Sequence, residues 1–192
     1  MLLNKSANGN RRTFTLSWWM KMGNLFTGTI YTSGYSGSGG SATSGHIRSS
    51  SQKLTIDNQV NNSNTWSITS SRLFRDSTNW YHCVVAIDTT QSTNTNRVKI
   101  YWNGVQETDF DTAQYPDQNE ELTLGQFSSV TTQLGWFVEG GYGFDGYIAE
   151  VNYIDGLQKA PTDFGEVDSS SGIWKPKKYT GTYGSEGFFL NF

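Results

Sequence analysis

The chain is short of cysteine, proline and charge. Its 192 residues include one cysteine, three prolines and only 16% charged residues, whereas about 25% is typical of a soluble domain. Because Cys83 is the single cysteine, an internal disulfide is excluded, although extracellular modules of this size usually carry one. The composition therefore favours folding in a reducing cytosol.

Long apolar runs and basic runs are also missing. No segment approaches the roughly 20 apolar residues of a membrane-spanning helix, and the polar sequence after residues 1–5 is unlike a secretory signal. The net charge is −3, and the longest basic cluster is the KPKK of residues 175–178. We therefore expect neither membrane insertion nor nucleic-acid binding through a phosphate-neutralising face.

Aromatic and β-branched residues take the place of helix formers. Aromatic residues make up 15% of the chain, and residues 13–22 alternate apolar and polar side chains in the way of a half-buried strand. A single helical turn is predicted at residues 160–164. Further strands are predicted at residues 25–32, 47–48, 53–57, 65–69, 80–88, 97–102, 121–125, 144–155 and 187–192. Turns or loops are predicted at residues 35–45, 58–64, 88–96, 115–119 and 135–143.

These short strands, with no linker and no internal repeat, predict one domain over residues 1–192. The fold class expected is all-β, a two-sheet antiparallel jelly-roll sandwich. Six apolar residues are placed at inward-facing strand positions and are predicted to be buried, namely Trp18, Trp80, Val84, Ile100, Trp102 and Ile148.

Two of the predicted strands carry a more specific pattern. Residues 76–88 (DSTNWYHCVVAID) and 97–105 (RVKIYWNGV) join a turn, an aromatic start, a β-branched run and a closing Asn-Gly. This pattern resembles the core of the concanavalin A-like sandwich domains, particularly their laminin G and pentraxin branch. The resemblance implies loops that bind sugars or protein surfaces, and catalysis only in some members.

The last third of the chain resembles a narrower group. Residues 144–156, 161–165, 173–179 and 183–192 are similar to modules in virion proteins of tailed phages, notably marine ones, and residues 10–21 match the opening of those modules. The resemblance implies a capsid decoration, tail fibre or adhesin that is assembled in the bacterial cytoplasm. Its partners would be other virion subunits and host-surface glycans. The alternative is a carbohydrate-binding module of a larger bacterial surface protein or enzyme.

The carboxylates do not form the pair that glycoside hydrolysis requires. That reaction needs two carboxyl groups about 5–9 Å apart, whereas Asp145 and Glu150 are five residues apart and so point to opposite faces of a strand. Glu120 and Glu121 are adjacent and fail for the same reason. We therefore expect no enzymatic activity and keep a glucanase only as a formal alternative.

An aromatic and glycine-rich loop is the best candidate for sugar binding. In the loop at residues 135–143 (GWFVEGGYG), exposed rings can stack on a pyranose, and glycines allow close approach of the backbone. The alternative is that Trp136 and Phe137 seal the end of the core or are buried against a neighbouring subunit. The residues predicted to form a carbohydrate-binding surface are Trp136, Phe137, Tyr142, Tyr35 and Trp66.

Calcium is the one metal that the sequence leaves open, and no other cofactor is expected. Asp109 and Asp111 share a face of a strand, and Asp145 lies between glycines, so their oxygens are candidate ligands. The alternative is that all three are solvated turn residues. His82 is expected to be a hydrogen-bonded structural histidine, and Cys83 a small core residue.

The apolar end of the sequence predicts assembly. Residues 187–192 (GFFLNF) form a strand that would invite aggregation if its edge were uncovered. The expected cover is either the strand at residues 14–22 or a symmetry mate. We therefore expect a homo-oligomer, or a chain docked on a larger shell.

Overall fold

The computed structural model describes most of the chain as short β-strands. The described residues are 1–3, 5–23, 28–36, 43–61, 63–137 and 142–192. Their strands, in chain order, are β1 (Thr13–Met22), β2 (Gly28–Ser36), β3 (Thr43–Ser50), β4 (Lys53–Val60), β5 (Ser63–Ser70), β6 (Tyr81–Asp88), β7 (Val98–Trp102), β8 (Val105–Gln106), β9 (Phe110–Gln114), β10 (Thr131–Leu134), β11 (Trp136–Phe137), β12 (Tyr142–Gly143), β13 (Gly146–Asp155), β14 (Gly165–Val167), β15 (Trp174–Pro176) and β16 (Phe188–Leu190). The helical segments are 3-10 turns at Asn94–Asn96, Thr123–Gly125 and Pro161–Asp163.

Two sheets make the sandwich. The six-stranded sheet has the order β16-β13-β1-β6-β7-β8, and the eight-stranded sheet has the order β11-β12-β2-β3-β4-β5-β9, with β10 also paired to β2. Nearly all pairings are antiparallel, the exception being a short parallel contact of β12 with β2. The ribbon β14-β15 lies outside both sheets. The predicted all-β, two-sheet antiparallel sandwich is therefore confirmed.

The strands mostly follow the sequence prediction, with differences at their ends. Residues 25–27 of the predicted second strand lie outside the described residues, as do 37–42 of the predicted loop 35–45 and 138–141 of the loop 135–143. The strand predicted at 121–125 is wrong, because Thr123–Gly125 is a 3-10 turn. The turn packs against the inner face of the eight-stranded sheet, where Asn58 Oδ1 on β4 accepts a hydrogen bond from the Thr123 backbone N–H at 3.0 Å.

The main core lies between the sheets and follows from strand alternation. In β1, every second side chain from Phe14 to Met22 points inward, and Cys83 is buried among them on β6. Burial of this apolar surface is the main stabilising contribution. The inward residues of the eight-stranded sheet include Ile30, Tyr31, Ile47, Leu54, Ile56, Trp66, Ile68 and Leu134.

A second layer covers the outer face of the six-stranded sheet. Residues 157–186, here called the covering segment, run back across this face, and Phe164 and Tyr179 bury Val84, Ala86 and Ile154 beneath them. The central strands β1, β6 and β13 are therefore buried on both faces, which explains why β6 is apolar on both sides.

His82 joins the covering segment to the sheet. Trp174 Nε1 donates a hydrogen bond to His82 Nδ1 at 2.9 Å, and His82 Nε2 lies 2.9 Å from Ser17 Oγ. Because Nδ1 accepts, the neutral ring carries its hydrogen on Nε2 and donates it to Ser17. The ring also stacks on Trp19 with centroids 4.9 Å apart. Burial lowers the pKa of His82 to about 3, so it is a structural residue, as expected.

A β-bulge changes the alternation of β13. Ser17 pairs with Asn152 and Trp19 with Ala149, so two residues of β13 oppose one of β1. Glu150, within the bulge, has a φ of 50°. The simple alternation predicted for residues 144–155 is therefore wrong in its first half. Ile148 packs on the main core, whereas Ala149 remains on the outer side.

Of the six residues predicted to be buried, four are buried and one is exposed. Trp18, Ile100 and Trp102 lie in the main core, and Val84 lies under the covering segment. Ile148 is partly buried. The four buried residues are each less than 4% exposed.

The prediction for Trp80 is wrong, since 42% of this residue is exposed. Trp80 precedes β6 and shares the parity of His82 and Val84, so it belongs to the outer face. The covering segment buries those two residues but leaves Trp80 partly open.

The apolar end of the chain finds its partner strand within the same chain. β16 pairs with β13, from Val151 opposite Leu190 to Tyr153 opposite Phe188, and the Phe188 and Tyr153 rings stack at 5.4 Å. The expected pairing with residues 14–22 is therefore wrong, because β13 lies between β16 and β1.

The burial of the tryptophans gives a first prediction. Trp18→Ala should lower the free energy of unfolding by about 3–5 kcal/mol, as for other fully buried large aromatics. Trp80→Ala is the matched control and should cost less than about 1.5 kcal/mol, because much of its ring is already in water. Urea denaturation of both variants measures the difference. Equal losses would contradict the assignment of their faces.

The neutral state of His82 gives a second prediction. Below about pH 6.5 the unfolded chain takes up a proton that folded His82 does not, so stability falls as the pH falls, by about 1.4 kcal/mol per unit. Between about pH 6.5 and 4.5 the loss from this residue should be about 2–3 kcal/mol. Denaturation of the wild type and of His82→Gln at both pH values isolates the loss of stability that is due to His82. The same pH dependence in both proteins would contradict the prediction.

Candidate functional site

The outer face of the eight-stranded sheet carries a group of polar side chains. Since Ile47 and Ile56 point into the core, the alternate residues His46, Arg48 and Asp57 of β3 and β4 lie on the opposite face. Residues His46 and Asp57 are directly paired across the two strands. The local fold therefore brings two basic side chains to one carboxylate.

Asp57 holds this group together. It is fully buried, and its Oδ1 lies 2.7 Å from His46 Nδ1. Its Oδ2 accepts from Arg48, with distances of 2.7 Å to Nε and 2.6 Å to Nη2. Hydrogen bonds of this kind between charged groups are strong and directional. The Arg48 side chain is nevertheless 38% exposed, so part of its guanidinium faces solvent in a fixed orientation.

Two aromatic rings adjoin the charged group. The Phe137 ring meets His46 edge-on, with centroids 5.2 Å apart, and meets Tyr35 in the same manner at 5.8 Å. The five residues Tyr35, His46, Arg48, Asp57 and Phe137 are here called the Phe137 cluster. Its rings are connected to the Arg48 guanidinium through His46 and Asp57.

The β11-β12 hairpin positions Phe137 at this surface. Phe137 pairs with Tyr142 and Trp136 pairs with Gly143. The Trp136 ring lies over Gly143, where a Cβ would come within 2.6 Å of it, so only glycine allows this contact. Trp136 itself is 44% exposed and extends the aromatic surface beyond the cluster.

The structure brings together some of the predicted sugar-binding residues. Tyr35 and Phe137 are in contact, and Trp136 lies on the same hairpin as Phe137. The side chain of Tyr142 lies outside the described parts of the chain. Trp66 needs a correction, because it is only 1% exposed and lies in the main core. Its strand parity matches that of Ile68, so its ring cannot stack on a ligand at the surface.

Sequence reasoning missed His46, Arg48 and Asp57. A signal was present, since Arg48 and Asp57 occupy non-core positions on neighbouring strands, each beside an isoleucine that faces the core. Only the register of β3 and β4 shows that their side chains meet.

The three predicted calcium ligands do not come together as a group. Asp111 forms an ion pair with Lys53, Asp109 precedes β9, and Asp145 lies beside Gly23 before the first residue of β13. In the part of the chain that the structure describes, no three His, Cys, Asp or Glu side chains are grouped in a way that could hold a metal ion. Calcium binding stays a prediction. Among the described residues, no helix has the length and hydropathy needed to cross a membrane.

Several solved structures are similar to this chain. The SAP-like heptameric pentraxin from Limulus polyphemus has a TM-score of 0.49 and 19% identity, covering 98% of this chain and 84% of that chain. The CBM40 of a Ruminococcus gnavus IT-sialidase, bound to α2,3-sialyllactose, has a TM-score of 0.47 and 10% identity, covering 76% and 83%. The enzymatically active domain of tailspike protein 2 from bacteriophage CBA120 has a TM-score of 0.48 and 16% identity, covering 85% and 24%. At these low values we draw no functional argument from them.

The sequence matches one family. No curated protein sequence matches the chain significantly, but a laminin G-type family model matches residues 2–159. This range includes both sheets of the sandwich apart from β16. The chain therefore belongs to the concanavalin A-like lectin/glucanases superfamily.

Proposed function

We propose that the protein is a non-enzymatic glycan-binding module whose Phe137 cluster contacts the sugar. The observation that carries the proposal is the chain of contacts around buried Asp57, which fixes the partly exposed Arg48 and also bonds His46. The His46 ring meets that of Phe137, which in turn meets Tyr35. Aromatic rings stack on the apolar face of a pyranose, and a fixed guanidinium donates to hydroxyl or carboxylate oxygens. Few but well-placed polar groups among rings are typical of such sites.

The state of Asp57 supports a role in binding rather than in hydrolysis. One of its oxygens faces His46 and the other accepts from Arg48, so neither is free to protonate a leaving group or attack a sugar. Glycosidases of the usual kind need two working carboxyl groups. Incubation with β-glucans should release no reducing ends, and release of such ends would support the glucanase alternative.

The biological setting proposed is a tailed-phage particle. The similarity of residues 144–192 to modules of phage virion proteins supports a capsid decoration, fibre or adhesin that is assembled in the bacterial cytoplasm. Its partners would be other virion subunits and a host-surface glycan. A homo-oligomer is supported by the position of Phe189, which is 42% exposed on the outermost strand of its sheet.

A carbohydrate-binding module of a larger bacterial protein fits the same superfamily and is the second candidate. Mass spectrometry of purified phage particles separates the two settings. The polypeptide should be found among the structural proteins. Its absence from particles, together with a catalytic domain encoded in the same reading frame, would favour the bacterial module.

The Phe137 cluster makes a specific prediction for binding. In a glycan array followed by titration of the best ligand, Phe137→Ala should weaken affinity about tenfold or more, as for a central aromatic contact. Arg48→Gln should weaken binding of carboxylate-bearing glycans more than that of neutral ones, because a charged hydrogen bond is lost.

The control for this experiment is Trp80→Ala, which removes an exposed ring beside the other sheet and should leave glycan affinity unchanged. Folding of each variant is checked by circular dichroism. If Phe137→Ala binds as tightly as the wild type, the sugar site lies elsewhere.

A further inference from the structure

An open pocket adjoins the Phe137 cluster. It has a volume of about 420 Å³ and is here called the Tyr35 pocket; its lining residues are Lys5, Tyr35, Phe127, Ser129, Val130 and Thr131. Tyr35 belongs to both features, since its ring also meets that of Phe137 with centroids 5.8 Å apart. The volume lies within the range of about 300–1,000 Å³ that is usual for ligand sites.

Hydrogen bonds fix the walls of the Tyr35 pocket. On one side, Thr131 of β10 pairs with Tyr35 of β2. On the other side, Asn8 Oδ1 accepts from the backbone N–H groups of Phe127 at 3.0 Å and of Ser128 at 2.8 Å. The pocket is therefore formed before any ligand arrives, as is usual for binding sites.

The lining of the pocket is mainly polar. Tyr35, Ser129 and Thr131 each contribute a hydroxyl group, which can donate and accept. The Lys5 ammonium group donates to the backbone oxygen of Glu186 at 2.7 Å and has further hydrogens to donate. The carboxylate of Glu186 lies 3.7 Å from the same ammonium group, so the charge here is balanced. Such a lining suits the hydroxyl groups of a neutral sugar.

The contacts of the cluster extend along the strand direction towards this pocket. Arg48 pairs with Thr29 of β2, and His46 pairs with Thr32. Tyr35 lies further along the same strand. At about 3.3 Å per residue, and allowing for the bulges of β2, the path from Thr29 to Tyr35 is roughly 15–20 Å long. This length exceeds that of a single pyranose ring.

An added peptide strand does not fit this surface. The strands β2 and β3 lie inside the eight-stranded sheet and are paired on both sides. Their backbone groups are therefore already engaged, whereas strand addition needs an open sheet edge. Recognition here has to come from side chains on the face of the sheet, and these offer aromatic rings, hydroxyl groups and fixed cations.

We propose that the Phe137 cluster and the Tyr35 pocket form one extended site, which binds an oligosaccharide rather than a single terminal sugar. One sugar residue stacks on Phe137, and a neighbouring one occupies the pocket, where Lys5, Ser129 and Thr131 bind its hydroxyl groups. The sugar in the pocket is neutral, and an acidic residue is bound only at the Arg48 end. This inference rests on the proposed glycan-binding function and adds the length and direction of the ligand.

A glycan array of mono- to tetrasaccharides tests the extended site, followed by calorimetric titration of the best-bound tetrasaccharide and of its own mono- and disaccharide fragments. The tetrasaccharide should bind about tenfold or more tightly than the monosaccharide, because it gains the contacts of the pocket. Equal affinities would overturn the extended site and leave the proposed function in place. Failure of every glycan to bind would overturn the proposed function, and this inference with it.

Variants of the pocket then separate the two parts of the site. Thr131→Val and Lys5→Gln should each weaken tetrasaccharide binding about two- to tenfold, because a hydrogen bond is lost, and should leave monosaccharide binding unchanged. Phe137→Ala should weaken binding at every length. The matched control is Thr112→Val, which changes an exposed threonine on the edge strand β9 of the same sheet and should have no effect.

Circular dichroism checks the folding of each variant. Thr131→Val keeps the shape of its side chain and leaves the contact of Lys5 with Glu186 intact, so it tests the pocket even if Lys5→Gln does not fold. Tetrasaccharide affinity that is unchanged in Thr131→Val and in any folded Lys5→Gln would show that the pocket is not a sugar subsite.

Discussion

The hydrogen bonds of His82 are the interaction on which much of this structure depends. Through Trp174 on one side and Ser17 on the other, they join the covering segment to the two central strands of the six-stranded sheet. The Trp174 ring fits there because Gly104 and Gly165 leave room for it, since a Cβ at either position would come within 3 Å of the ring. A neutral, buried histidine thus organises the second layer of the protein.

This second layer makes the two faces of the sandwich unequal. Residues 157–186 cover Val84, Ala86 and Ile154 on the outer face of the six-stranded sheet and leave Trp80 and Phe189 partly exposed. The outer face of the eight-stranded sheet instead presents Arg48 and the ring of Phe137. The family match ends at residue 159, so nearly all of the covering segment lies beyond the matched sandwich. The asymmetry comes from this added segment.

Much of the fold could be predicted from the sequence because it depends on short-range alternation. Residues 13–22 show the period of a strand directly, and the burial of Trp18 follows from it. Trp80 could not be placed in this way, because a strand that is apolar on both faces does not show which side meets the main core. The bulge at Glu150 was equally hidden, since an inserted residue is visible only from the pairing with β1.

The candidate site, too, could be predicted only where the signal lies within one segment of the sequence. The aromatic composition of residues 135–143 directed attention to Trp136 and Phe137, and both lie at the surface. The contacts among His46, Arg48 and Asp57 could not be predicted, because these are ordinary polar residues in alternating strands and only cross-strand pairing makes them neighbours. The surface position predicted for Trp66 is wrong, because an aromatic residue between polar ones looks exposed when the strand register is unknown.

The single thiol of the chain has a practical consequence. Cys83 lies in the main core, and burial raises the pKa of its thiol well above the ordinary value. Thiol reagents react with the thiolate form. In the folded protein the Cys83 thiol is therefore protected in two ways: burial keeps the reagent out, and the raised pKa keeps the thiol protonated. Its rate of alkylation therefore reports the opening of the central sheet. A second cysteine introduced at the surface could be labelled selectively while the protein stays folded.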